Sequence, residues 1–149
     1  YSPQAGEKGL AFNLDIGGRL GVVKVSRLYL EEILQNFITN AIRYTQKGSI
    51  TLYIKKNKSG VITFKVIDTG IGISKADIAK IFDKFYRAED YRTRETKGTG
   101  LGLYVSAKLA KKLGCKIEVE SRLNHGSTFG FKLKEFKNND KQYSVNLFF

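Results

Sequence analysis

The sequence contains no tryptophan and no methionine, and it has a single cysteine, a single histidine and a single proline. One thiol, Cys115, can form no internal disulfide, which points to a reducing compartment. One histidine and one cysteine cannot build a Cys/His metal cluster. No window approaches the roughly 20 unbroken apolar residues that a membrane-spanning helix needs. No signal-peptide pattern follows Tyr1, and a start without methionine is expected of a piece of a longer protein. Acidic residues are scarce: 14 Asp and Glu stand against 26 Lys and Arg, a formal charge of +12. The lysines are spread along the whole chain and not gathered in one block, so they read as a solvated basic surface and not as a nucleic-acid footprint.

What is present suits one domain with a real core: 149 residues, 42% of them hydrophobic. The stretch LAFNLDI (10–16) alternates apolar and polar residues, GGRLG follows, and VVKV continues. That pattern predicts a β-hairpin with its turn near Gly17 and Gly18. Ser26 is placed to cap a helix over RLYLEEILQNFITNAIRYT, whose apolar positions 30, 33, 34, 37, 38, 41 and 42 follow helical spacing. Its end is expected at Gly48. SITLYIKK and VITFKVID, joined by NKSG, read as a second hairpin. Ser74 caps a short helix in KADIAKIFDKF, and YRAEDYRTRETKGTG is polar, charged and aperiodic, as expected of a long loop with a function. A helix LGLYVSAKLAKKLG stops at Gly114, and CKIEVESR and STFGFKLKEF supply closing strands, with Cys115 read as a buried strand residue. Residues 136–149 form a tail that is an extra strand or disordered. Paired strands with interspersed helices predict an α+β fold: a two-layer α/β sandwich, its mixed and mostly antiparallel sheet carrying about three helices on one face.

Several familiar chemistries are excluded. KGTGLGL is neither the G-x-G-x-x-G of a dinucleotide fold nor a P-loop, and no H-R-D triplet marks an ordinary protein kinase. Asn36 and Asn40, four apart on one helix, are unusual because Asn is a poor helix-interior residue. They make a solvent-facing stripe or, as neutral oxygen ligands, serve a Mg²⁺ ion that already carries phosphate. Asp68 closes an apolar strand before Gly70 and Gly72. It starts a turn or accepts a hydrogen bond from a purine amine, in a pocket whose glycines let the base approach closely. Phe82 and Phe85, spaced three apart, suit the core, and Arg87 stands at the loop entrance within reach of a phosphate. Three glycines on alternate positions, Gly98, Gly100 and Gly102, precede a helix N-terminus, where an anion is favoured.

Taken in order, N-x-x-x-N-A-x-R-Y-T, D-T-G-I-G-I, F-D-K-F-Y-R, G-T-G-L-G-L and G-S-T-F resemble the N, G1, F, G2 and G3 boxes of the ATP-binding domain of bacterial sensor histidine kinases. With the flanking strands, the likeness runs from Leu10 to Lys134. It implies the Bergerat fold, shared with Hsp90, type II topoisomerase and MutL ATPases. It also implies ATP and Mg²⁺ as cofactors, with Asn40 as metal ligand and Asn36 supporting the metal and phosphate site. Arg43 stands where the family usually has Lys; by the resemblance Tyr44 would pack on the adenine or ribose, and Asp68 would take the adenine amino group beside Gly70 and Gly72. Arg87 would sit near the γ-phosphate, residues 88–97 would form an ATP lid, and Gly98, Gly100 and Gly102 would offer amides to the phosphates. Thr128 would fall on the adenine side. The implied nucleotide contacts also take in Ile73, Phe85, Lys97, Thr99, Leu101 and Leu103.

The hydrolytic members carry a Glu where this chain has Asn36, and Glu32 is a turn further back. The resemblance therefore implies phosphotransfer with slow ATP hydrolysis; the alternative is an Hsp90- or MutL-like ATPase that acts as a nucleotide-dependent conformational switch, against which Asn36 and the F-D-K-F-Y-R motif speak. His125 lies in a turn and is expected to face solvent, so the phosphoacceptor histidine is expected on a dimerisation domain that these 149 residues do not include. A response regulator is the implied downstream partner. The domain itself is expected to be cytoplasmic, without nucleic-acid or membrane contact.

Overall fold

The computed structural model describes residues 5–6, 8–23, 25–84, 102–136 and 145–146. In chain order the elements are β1 (Ala11–Ile16), β2 (Val22–Val23), α1 (Arg27–Tyr44), β3 (Ser49–Lys56), β4 (Val61–Asp68), α2 (Lys75–Ile78), α3 (Gly102–Leu113), β5 (Glu118–Ser121), β6 (Ser127–Lys134) and β7 (Val145–Asn146). Five strands form one sheet in the order β1-β3-β4-β6-β5, and β2 pairs with β7 apart from it. The pair β1–β3 is parallel, and the pairs β3–β4, β4–β6 and β5–β6 are antiparallel. This is the expected α/β sandwich, with a mixed sheet and, among the described residues, three helices.

Strands β3 and β4 alternate between half-buried and buried residues, β4 over its whole length and β3 as far as Lys55, the signature of a sheet with one face in the core. Across the ladder the buried positions align in rungs: Ile54 with Phe64 and Phe131, then Leu52 with Val66 and Phe129. The Phe64 and Phe131 rings stack at 4.9 Å, and Phe37 of α1 closes on Phe129 at 5.5 Å. Leu30, Ile33, Phe37, Ile38 and Ala41 form the buried stripe of α1. That stripe matches the helical spacing of the sequence.

Caps fix the helix ends. Ser26 Oγ accepts the Tyr29 amide at 3.3 Å, and Ser74 Oγ accepts that of Asp77 at 3.2 Å. At the end of α3, Gly114 takes a positive φ of 77°, while its amide reaches Lys111 O and that of Cys115 reaches Ala110 O. This is a Schellman close.

Four expectations change. The hairpin at Gly17 and Gly18 does not form: β1 runs parallel to β3, with α1 as the crossover, and β2 turns away to β7. Alternating apolarity identifies a strand's buried face but not its partner, and Leu20 and Val23, both buried, carry the intervening chain into the core. Helix α1 ends at Tyr44, before Gly48, because Thr45 is already extended (φ −115°, ψ 112°). The helix after Ser74 lasts four residues. Cys115 precedes β5 instead of lying within it; it is half-buried, and burial pushes its thiol pKa up, away from reactivity.

Candidate nucleotide site

The third rung of the core ladder is Ile50, Asp68 and Ser127. At this rung the alternation that placed Phe64 and Val66 inside demands another apolar side chain on β4, and the chain supplies a carboxylate that is only 7% exposed. A charge at such a position needs partners. Asp68 Oδ1 accepts the Gly70 amide at 2.9 Å and the Ser127 amide at 3.2 Å. Among the described residues none donates a hydrogen bond to Oδ2. Burial raises the Asp68 pKa above the ordinary carboxylate value, and the amides of Gly70 and Ser127 pull it back down. The Thr45 hydroxyl pulls the same way from beside the carboxylate, although the fully buried Oγ1 reaches hydrogen-bond geometry with no described group.

The loop after Asp68 is clamped on three sides. Thr69 N donates to Ser49 O and Ile71 N to Tyr44 O, both at 3.2 Å, tying the loop to β3 and to the end of α1. Ile73 N donates to Ser121 Oγ at 2.8 Å, and Asn124 N to Ile71 O at 2.6 Å, tying it to the β5–β6 turn. The Ser121 and Ser127 hydroxyls meet at 2.7 Å. These contacts explain the two glycines differently from the sequence reading. A Cβ on Gly70 would run into the Tyr44 carbonyl, and one on Gly72, where φ is 71°, into that of Arg122. Protein backbone by itself excludes a side chain at both positions.

On α1, Asn36 and Asn40 are half-buried beside the apolar stripe. Asn36 Nδ2 donates to Gly102 O at 3.2 Å and to Ser106 Oγ at 3.1 Å, so the helix face bearing the Asn pair is bound to the first turn of α3. Arg43 and Tyr44 follow on the last turn, both half-buried. The carbonyls of Ile42 and Arg43 accept Lys8 Nζ at 2.7 and 3.0 Å. Ile73 and Leu103 pack against the core.

Asp68, Gly70, Tyr44, Gly72 and Ile73 are thus brought together, and Asn36 meets Gly102. Thr128 is not brought to that group. By strand alternation it stands on the open face of the sheet with Thr63, Lys65, Glu118, Glu120 and Gly130, opposite Asp68. Its neighbour Ser127 is the G3-box residue on the Asp68 side. His125 is exposed in the turn as expected, and Glu32 is exposed one turn before Asn36. Phe85, Arg87, the 88–97 segment, Lys97, Gly98, Thr99, Gly100 and Leu101 lie outside the described residues. Sequence reasoning missed Thr45, Ser106, Ser121 and Ser127. Ser127 had a signal, since strand alternation in STFGFKLK puts it, and not Thr128, in register with Phe129 and Phe131.

Among the described residues no group of three or more His, Cys, Asp or Glu could hold a metal. A cation would be shared with a ligand's phosphates, and the neutral amide oxygens of the Asn pair fit that donor type.

A sheet with helices on one face, a buried carboxylate at the end of its central strand and an Asn pair on the adjoining helix define a Bergerat-type ATP-binding domain. The chain belongs to the family of histidine kinase-, DNA gyrase B-, and HSP90-like ATPases, which it matches over residues 26–137. It is 40% identical over 128 residues to the aerobic respiration control sensor protein ArcB of Escherichia coli (strain K12), covering 85% of this chain and 16% of that protein. It is 37% identical over 125 residues to the sensor protein GacS of Pseudomonas syringae pv. syringae, covering 80% of this chain and 14% of that one. The chain thus spans less than a fifth of the length of these curated relatives. Among solved structures, full-length ShkA in complex with AMPPNP superposes with a TM-score of 0.77 at 31% identity, covering 89% of this chain and 27% of that one. The catalytic domain of the histidine kinase ThkA gives 0.75 at 26%, covering 90% and 84%.

Proposed function

We propose that the domain binds Mg·ATP and donates the γ-phosphate to a histidine on a dimerisation domain of the same parent protein, for relay to a response-regulator aspartate. The observation that carries this reading is Asp68: a buried carboxylate with both backbone amides on one oxygen and the other left for an incoming donor such as a purine amine. Asn40 would hold the cation with the phosphates, Asn36 would support it, and Mg²⁺ supplies neutralisation of phosphate charge. Arg43 and Arg87 would add positive charge, Tyr44 would pack on the nucleoside, and Lys97 to Leu101 with Gly102 and Leu103 would meet the phosphates. Asn36 stands where hydrolytic relatives hold a general base, and an amide cannot take a proton from water. Phosphotransfer with slow hydrolysis follows.

In this reading residues 1–135 are the catalytic unit and 136–149 a tail, and the parent works with its kinase domain in the cytoplasm. The relatives' names as sensor proteins support the signalling role. The test is to mix the domain with γ-labelled ATP, Mg²⁺ and the separately produced histidine-bearing domain of its parent. Acid-labile label on that histidine is expected. ATP turnover at ordinary ATPase rates with no transfer would replace this reading with a conformational-switch ATPase.

A further inference from the structure

Ser106 sits in the middle of α3 and is fully buried. A serine there needs an account, because its hydroxyl competes with the helix backbone. Its Oγ donates back to Gly102 O at 2.9 Å and lies 3.1 Å from Asn36 Nδ2. Gly102 O is also 3.2 Å from the same nitrogen.

Proton counting fixes the direction of every bond. A carbonyl oxygen can only accept, so the single Ser106 proton goes to Gly102 O, and Ser106 faces α1 as an acceptor. Both groups that Asn36 meets on α3 therefore require a donor, and only its NH₂ can serve them. The orientation of an Asn side chain is ordinarily ambiguous; here the chemistry of its partners decides it. The amide oxygen is the end left over. Oδ1 lies 3.9 Å from where a Cβ on Gly102 would stand, at the first residue of α3, and among the described residues nothing donates to it.

We infer that Ser106 is a positioning residue for the phosphate end of the nucleotide site, holding the Asn36 amide so that its carbonyl oxygen, to which none of the described residues donates, is turned to the start of α3. This rests on the nucleotide-binding reading above. A neutral oxygen there repels bare phosphate and welcomes a phosphate that arrives with its cation. The strut thereby makes affinity depend on the metal. Without the Ser106 hydroxyl, one of the two bonds that prevent an amide flip is lost, and a flipped amide would present its NH₂ to the ligand.

The experiment measures nucleotide affinity with and without Mg²⁺ in the wild-type chain, Ser106→Ala, Asn36→Ala and the double variant. The gain in ATP affinity on adding Mg²⁺ is expected to fall about five- to tenfold in Ser106→Ala, the effect of losing one net hydrogen bond, with metal-free affinity kept or raised, because the freed NH₂ can donate to bare phosphate. In the Asn36→Ala background, Ser106→Ala should cause no further loss of that gain. Equal losses with and without metal, or additive losses in the double variant, would reduce Ser106 to a packing residue. A second measurement covers a variant that fails to fold: in wild-type protein both side-chain amide protons of Asn36 should exchange slowly with solvent. Fast exchange overturns the strut. Wild-type protein that binds no ATP would sink the nucleotide reading and leave the exchange result to judge the strut alone.

Discussion

Ser127 donates its backbone amide to Oδ1 of Asp68 at 3.2 Å, across 59 residues of sequence. With the Gly70 amide at 2.9 Å on the same oxygen, this bond turns a costly buried carboxylate into an oriented acceptor. It joins the end of β4 to the start of β6, next to the last turn of α1.

Asp68→Asn tests that acceptor. The amide keeps an oxygen for the two backbone donors but presents NH₂ where Oδ2 stood, facing any incoming amine with a second donor. ATP affinity is expected to fall about 10- to 100-fold, the range for leaving a buried polar pair mismatched. The pH dependence separates binding from folding. Burial raises the folded-state pKa of Asp68 above its unfolded value, so the folded state binds the proton more tightly. Its contribution to stability is then fully present below the unfolded pKa and is lost as pH rises through the folded one. Nucleotide binding runs the other way, strengthening over the same window as the carboxylate ionises. Thermal melts and ATP titrations from pH 4 to 8 should give wild-type slopes of opposite sign, both flattened in the variant. Parallel slopes would contradict this account.

A pair of neighbours provides a sharper contrast. Ser127 is 7% exposed on the Asp68 side, and its hydroxyl meets Ser121 Oγ, which in turn holds the Ile73 amide. Thr128 is on the opposite face. Ser127→Ala should weaken ATP binding several-fold by loosening the loop that follows Asp68, while Thr128→Val should leave affinity within error. Isothermal titration of both variants decides it, and the reverse ranking would mean that the register of β6 is misassigned.

The core face and the caps at Ser26 and Ser74 were legible because each depends on spacing within one segment. The partner of β1 was not, since alternation on a single strand is the same for a parallel and an antiparallel neighbour. The site divides along the same line. Asp68 stood out as a carboxylate closing an apolar strand, and Asn36 and Asn40 as a pair of poor helix formers. The tie of Ser106 to Asn36 and that of Lys8 to the end of α1 left no local trace, because those partners lie 70 and at least 34 residues away. Gly70 and Gly72 have a packing reason that no local pattern showed: the carbonyls that exclude a Cβ belong to Tyr44 and Arg122.

Gly72→Ala follows from that geometry. The residue holds φ at 71°, and the added methyl would meet the Arg122 carbonyl. Backbone collision and a left-handed conformation together should cost about 1–3 kcal/mol. At roughly 2–4 °C per kcal/mol for a chain of this size, the melting temperature falls by several degrees. Gly114→Ala is the control, with a similar φ of 77° and open space around the Cβ position. It bears the conformational cost alone and should lose less. Equal losses at the two sites would show that the contact with Arg122 carries no weight.

Lys8 offers the most economical link between the start of the chain and the site. Helix α1 leaves its last carbonyls without intrahelical partners, and the chain meets three of them from outside. Lys8 Nζ donates to Ile42 O and Arg43 O, and the Ile71 amide donates to Tyr44 O. A cation on a helix C-terminus also favours the helix dipole, by about 0.3–1 kcal/mol at an exposed position. Lys8→Met keeps the aliphatic stem and removes the charge and the donors. The expected result is a melting temperature lower by about 1–4 °C and a two- to threefold loss of ATP affinity, about 0.4–0.7 kcal/mol, as the end of α1 loosens against the loop that carries Gly70. Lys8→Arg, which can still donate to both carbonyls, should recover most of both. If Lys8→Met melts like the wild type and binds ATP equally well, the end of α1 is held by the Ile71 amide and its core contacts alone.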